Sequence, residues 1–176
     1  DEMGKAALAL EQFEAALELE PQNVEVLTNY GSTLGAAARY DLAEEMLRRA
    51  TRLSPESIGV RAALGILHFR RGIYAQAEIE LRWVCDQDAQ YGPAFYYRGE
   101  ALNRLNRYDE AVESYEVISN QHQDSAKLPD ALYGLALAHE GMGNISEAKR
   151  LLSDIRRRFP NTGVANLADT RLLSLD

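Results

Sequence analysis

Reactive and cross-linking chemistry is scarce in this sequence. One cysteine, Cys85, stands among 176 residues, so no internal disulfide is available. It falls late in an apolar-periodic stretch with no histidine at a recognisable spacing, and reads as inert filler rather than a nucleophile. No run of about 18 apolar residues occurs, which excludes a membrane-spanning helix. No HExxH, phosphate-loop or dinucleotide-binding glycine pattern is present. No signal-peptide pattern opens the chain. Positive charge is also in deficit, with 19 Lys and Arg against 27 Asp and Glu, a net charge of −8. A nucleic-acid backbone needs concentrated Lys and Arg to neutralise its phosphates, so it is not the expected partner.

The three histidines do not form a metal site. His68 and His139 fall at equivalent helical positions of repeats two and four, with a full repeat between them, and are expected in the core. His122 is expected as a solvated loop residue beside Asp124. No catalytic residue, metal or cofactor is expected.

What is present is a period. Gly31, Gly65 and Gly99 recur at a step of 34 residues, as do Ala9, Ala43, Ala77 and Ala111, and Tyr40, Tyr74 and Tyr108. Ala148 follows Ala111 at a step of 37, so three extra residues are expected near Gln121–Leu128. Each unit holds two apolar-periodic helical patterns split by a turn, and several end at a proline: Pro21, Pro55 and Pro160. Such a period marks a solenoid of stacked helix pairs. The small residues Gly31 and Ala43 mark where two helices approach closely. The expected organisation is one domain over residues 1–176. It comprises a half repeat (5–21), repeats at 24–57, 58–91, 92–125 and 129–162, and a capping helix (163–176). The half repeat lacks its first helix, which predicts either a helix upstream of Asp1 or a second copy on that edge.

The 34-residue step, Leu64-Gly65, Arg39-Tyr40-Asp41-x-Ala43 and Arg107-Tyr108-Asp109-Glu110-Ala111 resemble the tetratricopeptide repeat family over nearly the whole chain. The run from Phe159 to Ala165 is also similar to the last repeat of bacterial periplasmic proteins of the TolA-binding and outer-membrane-assembly types. The compartment stays open between cytoplasm and periplasm. The resemblance implies an all-α, right-handed superhelical solenoid of antiparallel helix pairs. It also implies a concave groove lined by the first helices and a protein or peptide as partner.

Projecting that face selects Asn29 from repeat one and Ile66, Phe69 and Arg70 from repeat two. Repeat three contributes Tyr96, Glu100, Asn103 and Arg104, and repeat four contributes Tyr133 and Leu137. Aromatic and aliphatic anchors among polar groups suit a peptide or helix, since Tyr gives contact area at low entropy cost. The competing reading buries these side chains between repeats. Arg70 and Arg104 near helix ends either bind a partner carboxylate or complement the helix dipole. Chaperone-cofactor members of the family clamp a carboxylate with Lys and Asn or Arg. The corresponding places here hold Thr28, Ser32, Ala62, Ile66, Tyr96 and Glu100, so acidic chaperone tails are not expected. The functional expectation is a non-catalytic interaction scaffold. The alternatives are a structural assembly or self-association module acting through its edges and convex face, with a homo-oligomer through the N-terminal half repeat as one form, and the regulatory arm of a larger protein.

Overall fold

The computed structural model describes residues 2–175, and the side chains of residues 8–175. Asp1 and Asp176, the outer ends of the expected domain, lie outside the described residues. Among the described residues there are ten helices and no strand. They are α1 (Glu2–Leu19), α2 (Val24–Ala36), α3 (Tyr40–Leu53), α4 (Ile58–Arg70), α5 (Tyr74–Gln87), α6 (Gly92–Arg104), α7 (Tyr108–Gln121), α8 (Leu128–Gly141), α9 (Ile145–Arg158) and α10 (Gly163–Ser174). The fold is an all-α solenoid of helix pairs. Two compact units divide it: Asp1–Asp88 carries α1–α5, and Ala89–Asp176 carries α6–α10.

One turn is used four times. Arg39 N donates to Leu34 O and Ile73 N to His68 O, both at 2.9 Å; Arg107 N donates to Leu102 O at 2.9 Å and Asn144 N to His139 O at 2.8 Å. This six-to-one bond closes a Schellman motif, which needs a left-handed residue just past the helix end. Ala38 (φ 58°), Gly72 (φ 76°), Asn106 (φ 58°) and Gly143 (φ 80°) supply it. Between pairs, the next helix is capped where the sequence offers a short polar side chain. Asn23 accepts from Val26 N at 3.1 Å, Ser57 from Val60 N at 3.4 Å and Thr162 from Ala165 N at 3.2 Å. α6 and α8 lack such a cap and start with proline in the first turn instead.

The glycines mark close approaches inside each pair. A Cβ on Gly31 would lie 2.7 Å from Leu47 Cγ, and one on Gly65 would lie 2.6 Å from Leu81 Cγ. Ala43, Ala77, Ala111 and Ala148 are fully buried. In the first unit, Leu10, Phe13 and Leu17 of α1 pack on the cluster of Leu27, Tyr30, Leu34 and Leu47, and Tyr30 OH donates to Glu14 at 2.6 Å. The extra residues before repeat four are shared out: the loop at 122–127 is longer than those at 54–57 and 88–91, and α8 has 14 residues where α6 has 13.

Four side chains depart from expectation. Arg98 stands where repeats one and two carry Tyr30 and Leu64, a place from which its head is expected to reach water; instead its side chain is 14% exposed and donates to Ser114 Oγ at 3.1 Å. His122 is half-buried, with its ring against Gly92, rather than solvated. His68 and His139 are half-buried, each with a buried Nδ1 that lacks a hydrogen bond.

Candidate partner-binding site

In the second unit α6 packs beside α8 and α8 beside α10, while α7 and α9 pair with them from behind. Tyr96, Glu100, Asn103 and Arg104 fall at i, i+4, i+7 and i+8 of α6, which sets them on one helix face. Tyr133 and Leu137 hold the matching spacing on the adjoining α8. The structure therefore places six of the ten expected residues on neighbouring helices. Arg104 is exposed; Tyr96, Glu100, Asn103, Tyr133 and Leu137 are half-buried. The other four lie in the first unit. Asn29 and Arg70 are exposed on α2 and α4, and Ile66 and Phe69 are half-buried on α4. The Phe69 ring lies 5.7 Å from that of Tyr74, so part of its area is spent on the turn beneath it.

The floor of the second unit's face is tied down by a residue from the layer behind. Tyr115 is fully buried on α7, where the earlier repeats carry Leu47 and Leu81. Its ring passes between two glycines. A Cβ on Gly99 would lie 2.8 Å from it, and one on Gly134 would fall inside the ring's contact surface. The phenol emerges beside α6, donates to Glu100 Oε1 at 2.6 Å and accepts from Asn103 Nδ2 at 3.3 Å. Asn103 Nδ2 also donates to the Gly134 carbonyl at 2.9 Å, which ties α6 to α8, while its Oδ1 is buried without a hydrogen bond. Such a network fixes the rotamers of this face.

Burial pushes the Glu100 carboxyl up from its ordinary value, against the opposing pull of the Tyr115 hydrogen bond and the Arg104 charge. Burial, then the Glu100 charge, pushes the Tyr115 phenol well up. Tyr96 is likewise raised, by burial first and then by the Glu100 and Asp130 carboxylates. Its ring meets Tyr97 edge-on at 5.1 Å, and the Lys127 ammonium stands 5.0 Å from its centroid. Toward α10, Asn103, Arg104 and Tyr108 face Leu137, Glu140 and Arg171 across an open depression of about 320 Å³. Arg171 grips Glu140 through two nitrogens, with Nε at 2.8 Å.

Sequence reasoning missed Tyr115, Gly134, Lys127 and Arg171 as contributors here. Only Tyr115 left a signal: an aromatic residue where the period otherwise calls for leucine. Among the described residues, no group of three or more His, Cys, Asp or Glu is placed to hold a metal ion. No described helix is long and apolar enough to cross a membrane.

Helix pairs at this period, with a small-residue seam and a first-helix face, define a class that the comparisons identify. Tetratricopeptide repeat matches cover residues 1–58, 31–93 and 63–125, and a further one covers 130–162. The chain belongs to the tetratricopeptide repeat family. It is 26% identical over 169 residues to the RNA polymerase-associated protein CTR9 of Caenorhabditis elegans, matching with 90% of its own length and 14% of that protein's. It is 23% identical over 163 residues to the TPR repeat-containing protein YpiA of Bacillus subtilis, and spans 37% of that relative. Its fold is similar to that of YrrB, described as a TPR protein with an unusual peptide-binding site. The TM-score is 0.76 at 20% identity, covering 96% of this chain and 86% of YrrB. Members of this family are typically protein-interaction scaffolds without catalysis of their own.

Proposed function

We propose that the protein is a non-catalytic scaffold that binds a partner peptide or helix on the first-helix face of its second unit. The observation that carries this reading is the combination of half-exposed anchors, Tyr96, Tyr133 and Leu137, with a floor already fixed by the Tyr115–Glu100–Asn103 bonds. A partner meets apolar area without having to order it, so modest contacts suffice. The likeness to YrrB, itself described as having a peptide-binding site, supports the same reading. The test is affinity capture from host lysate with the wild type and with Tyr96→Ala/Tyr133→Ala. The double variant loses its partner by about tenfold or more while keeping its helical circular dichroism. Loss of helicity makes the two tyrosines core residues, and full retention moves the partner elsewhere.

Assembly through the ends is a second reading, favoured by exposed leucines on the terminal helices: Leu8 (56%) and Leu19 (85%) on α1, and Leu167 (53%) and Leu173 (79%) on α10. Sedimentation over a range of concentrations checks it, since a constant monomer mass rules it out.

A further inference from the structure

Lys127 stands where its own helix does not favour it. It is the residue that caps the N-terminus of α8, the positive end of the helix dipole, and it offers no side-chain cap there. An acidic or small polar residue is the ordinary choice at that place. Two groups hold the ammonium: the Tyr96 ring face on α6 at 5.0 Å, and Asp130 Oδ2, in the first turn of α8 itself, at 3.7 Å. Glu100 lies close enough to feel its charge, as Lys127 lowers the pKa of that carboxyl. Tyr97 backs the Tyr96 ring edge-on, which keeps the ring face presented. Lys127 arrives on the lengthened loop at 122–127, which the preceding repeats lack.

We propose that the Tyr96–Asp130–Glu100 corner of the second unit is a cation pocket for a partner's lysine or arginine side chain, and that Lys127 fills it in the free protein. The inference rests on the partner-binding reading of this face. The charges support a one-for-one exchange. Around the corner the carboxylates of Glu100 and Asp130 face Arg104 and Lys127, so the group is balanced only while a second cation is present. A partner that carries this cation preserves the balance and lets Lys127 return to water. An acidic or wholly apolar segment forfeits it. A cation over an aromatic face gains most where it is desolvated, as it is beneath a bound peptide. Lys127 is easily displaced, because its side chain is 49% exposed and that of Asp130 is 38% exposed, and exposed pairs of this kind are weak. The chain's net charge of −8 favours the same kind of partner.

The experiment is selection of a random dodecapeptide display library on the full chain, followed by titration of one selected, fluorescein-labelled peptide. Selected peptides are expected to share a Lys or Arg at one fixed position beside apolar residues. The peptide should bind Lys127→Ala about twofold to fivefold tighter than wild type, because the resident competitor is gone. It should bind Asp130→Asn more weakly, and its own Lys- or Arg-to-norleucine version should lose the advantage given by Lys127→Ala. Peptides that are lost with Tyr96→Ala/Tyr133→Ala but share no cation overturn the pocket and leave the face as the binding site. Unchanged or weaker binding to Lys127→Ala also overturns it. Peptides indifferent to the double tyrosine variant, or a library that yields none, overturn the pocket and the peptide-binding reading together.

Discussion

At the scale of single residues, Glu100 carries the most consequence. Its carboxyl is raised by burial above the ordinary 4.5 while still accepting the Tyr115 hydrogen bond. Between 4.5 and that raised value the folded chain holds a proton that the unfolded chain has released. Stability therefore falls as pH climbs through this window, because the folded state binds more protons there. Glu100→Gln keeps an acceptor for the Tyr115 phenol and removes the charge. Its melting temperature is expected to exceed that of the wild type at about pH 7 and to converge with it near about pH 4. Thermal melts across that range check the sign. A variant less stable at neutral pH would show that the carboxylate is better solvated than its burial implies.

The elements show why so much of the fold was legible and part of the site was not. The glycine and alanine seams recur because two helices touch there, and Ala77 is buried where the period put it. The step of 37 residues revealed an insertion. It could not reveal that the insertion delivers Lys127 to Tyr96, since that depends on where a loop turns. Tyr115 takes a core place of the period, where Leu47 and Leu81 precede it; its hydroxyl reaches the first-helix face only because Gly99 and Gly134 leave a slot, one of them in the next repeat. The turns were legible as turns, but not their strain. Ala38 sits at φ 58° where the equivalent positions use Gly72, Asn106 and Gly143. An L-residue held there costs about 1–2 kcal/mol, part of which glycine's greater unfolded-state entropy offsets. Ala38→Gly is expected to stabilise the chain by about 0.5–1 kcal/mol, a rise of about 1–4 °C in melting temperature. A fall would mean that unfolded-state entropy outweighs relief of the turn.

For the whole molecule, the governing quantity is the excess of 27 acidic over 19 basic side chains. A field of that sign draws a cationic segment toward the protein before any contact forms, and salt screens it over about 8–10 Å. Short-range contacts at Tyr96 and Asp130 are screened much less once a peptide covers them. The two effects separate kinetically. For a Lys- or Arg-bearing peptide, the association rate is expected to fall several-fold between about 20 mM and about 200 mM salt, with the dissociation rate nearly constant. Stopped-flow mixing with the labelled peptide measures both. A norleucine version of that peptide should not show this fall in association rate with salt, because the attracted cation is gone. If dissociation carried the whole salt dependence instead, attraction would be confined to the bound contact, and the net charge would have no part in finding the partner.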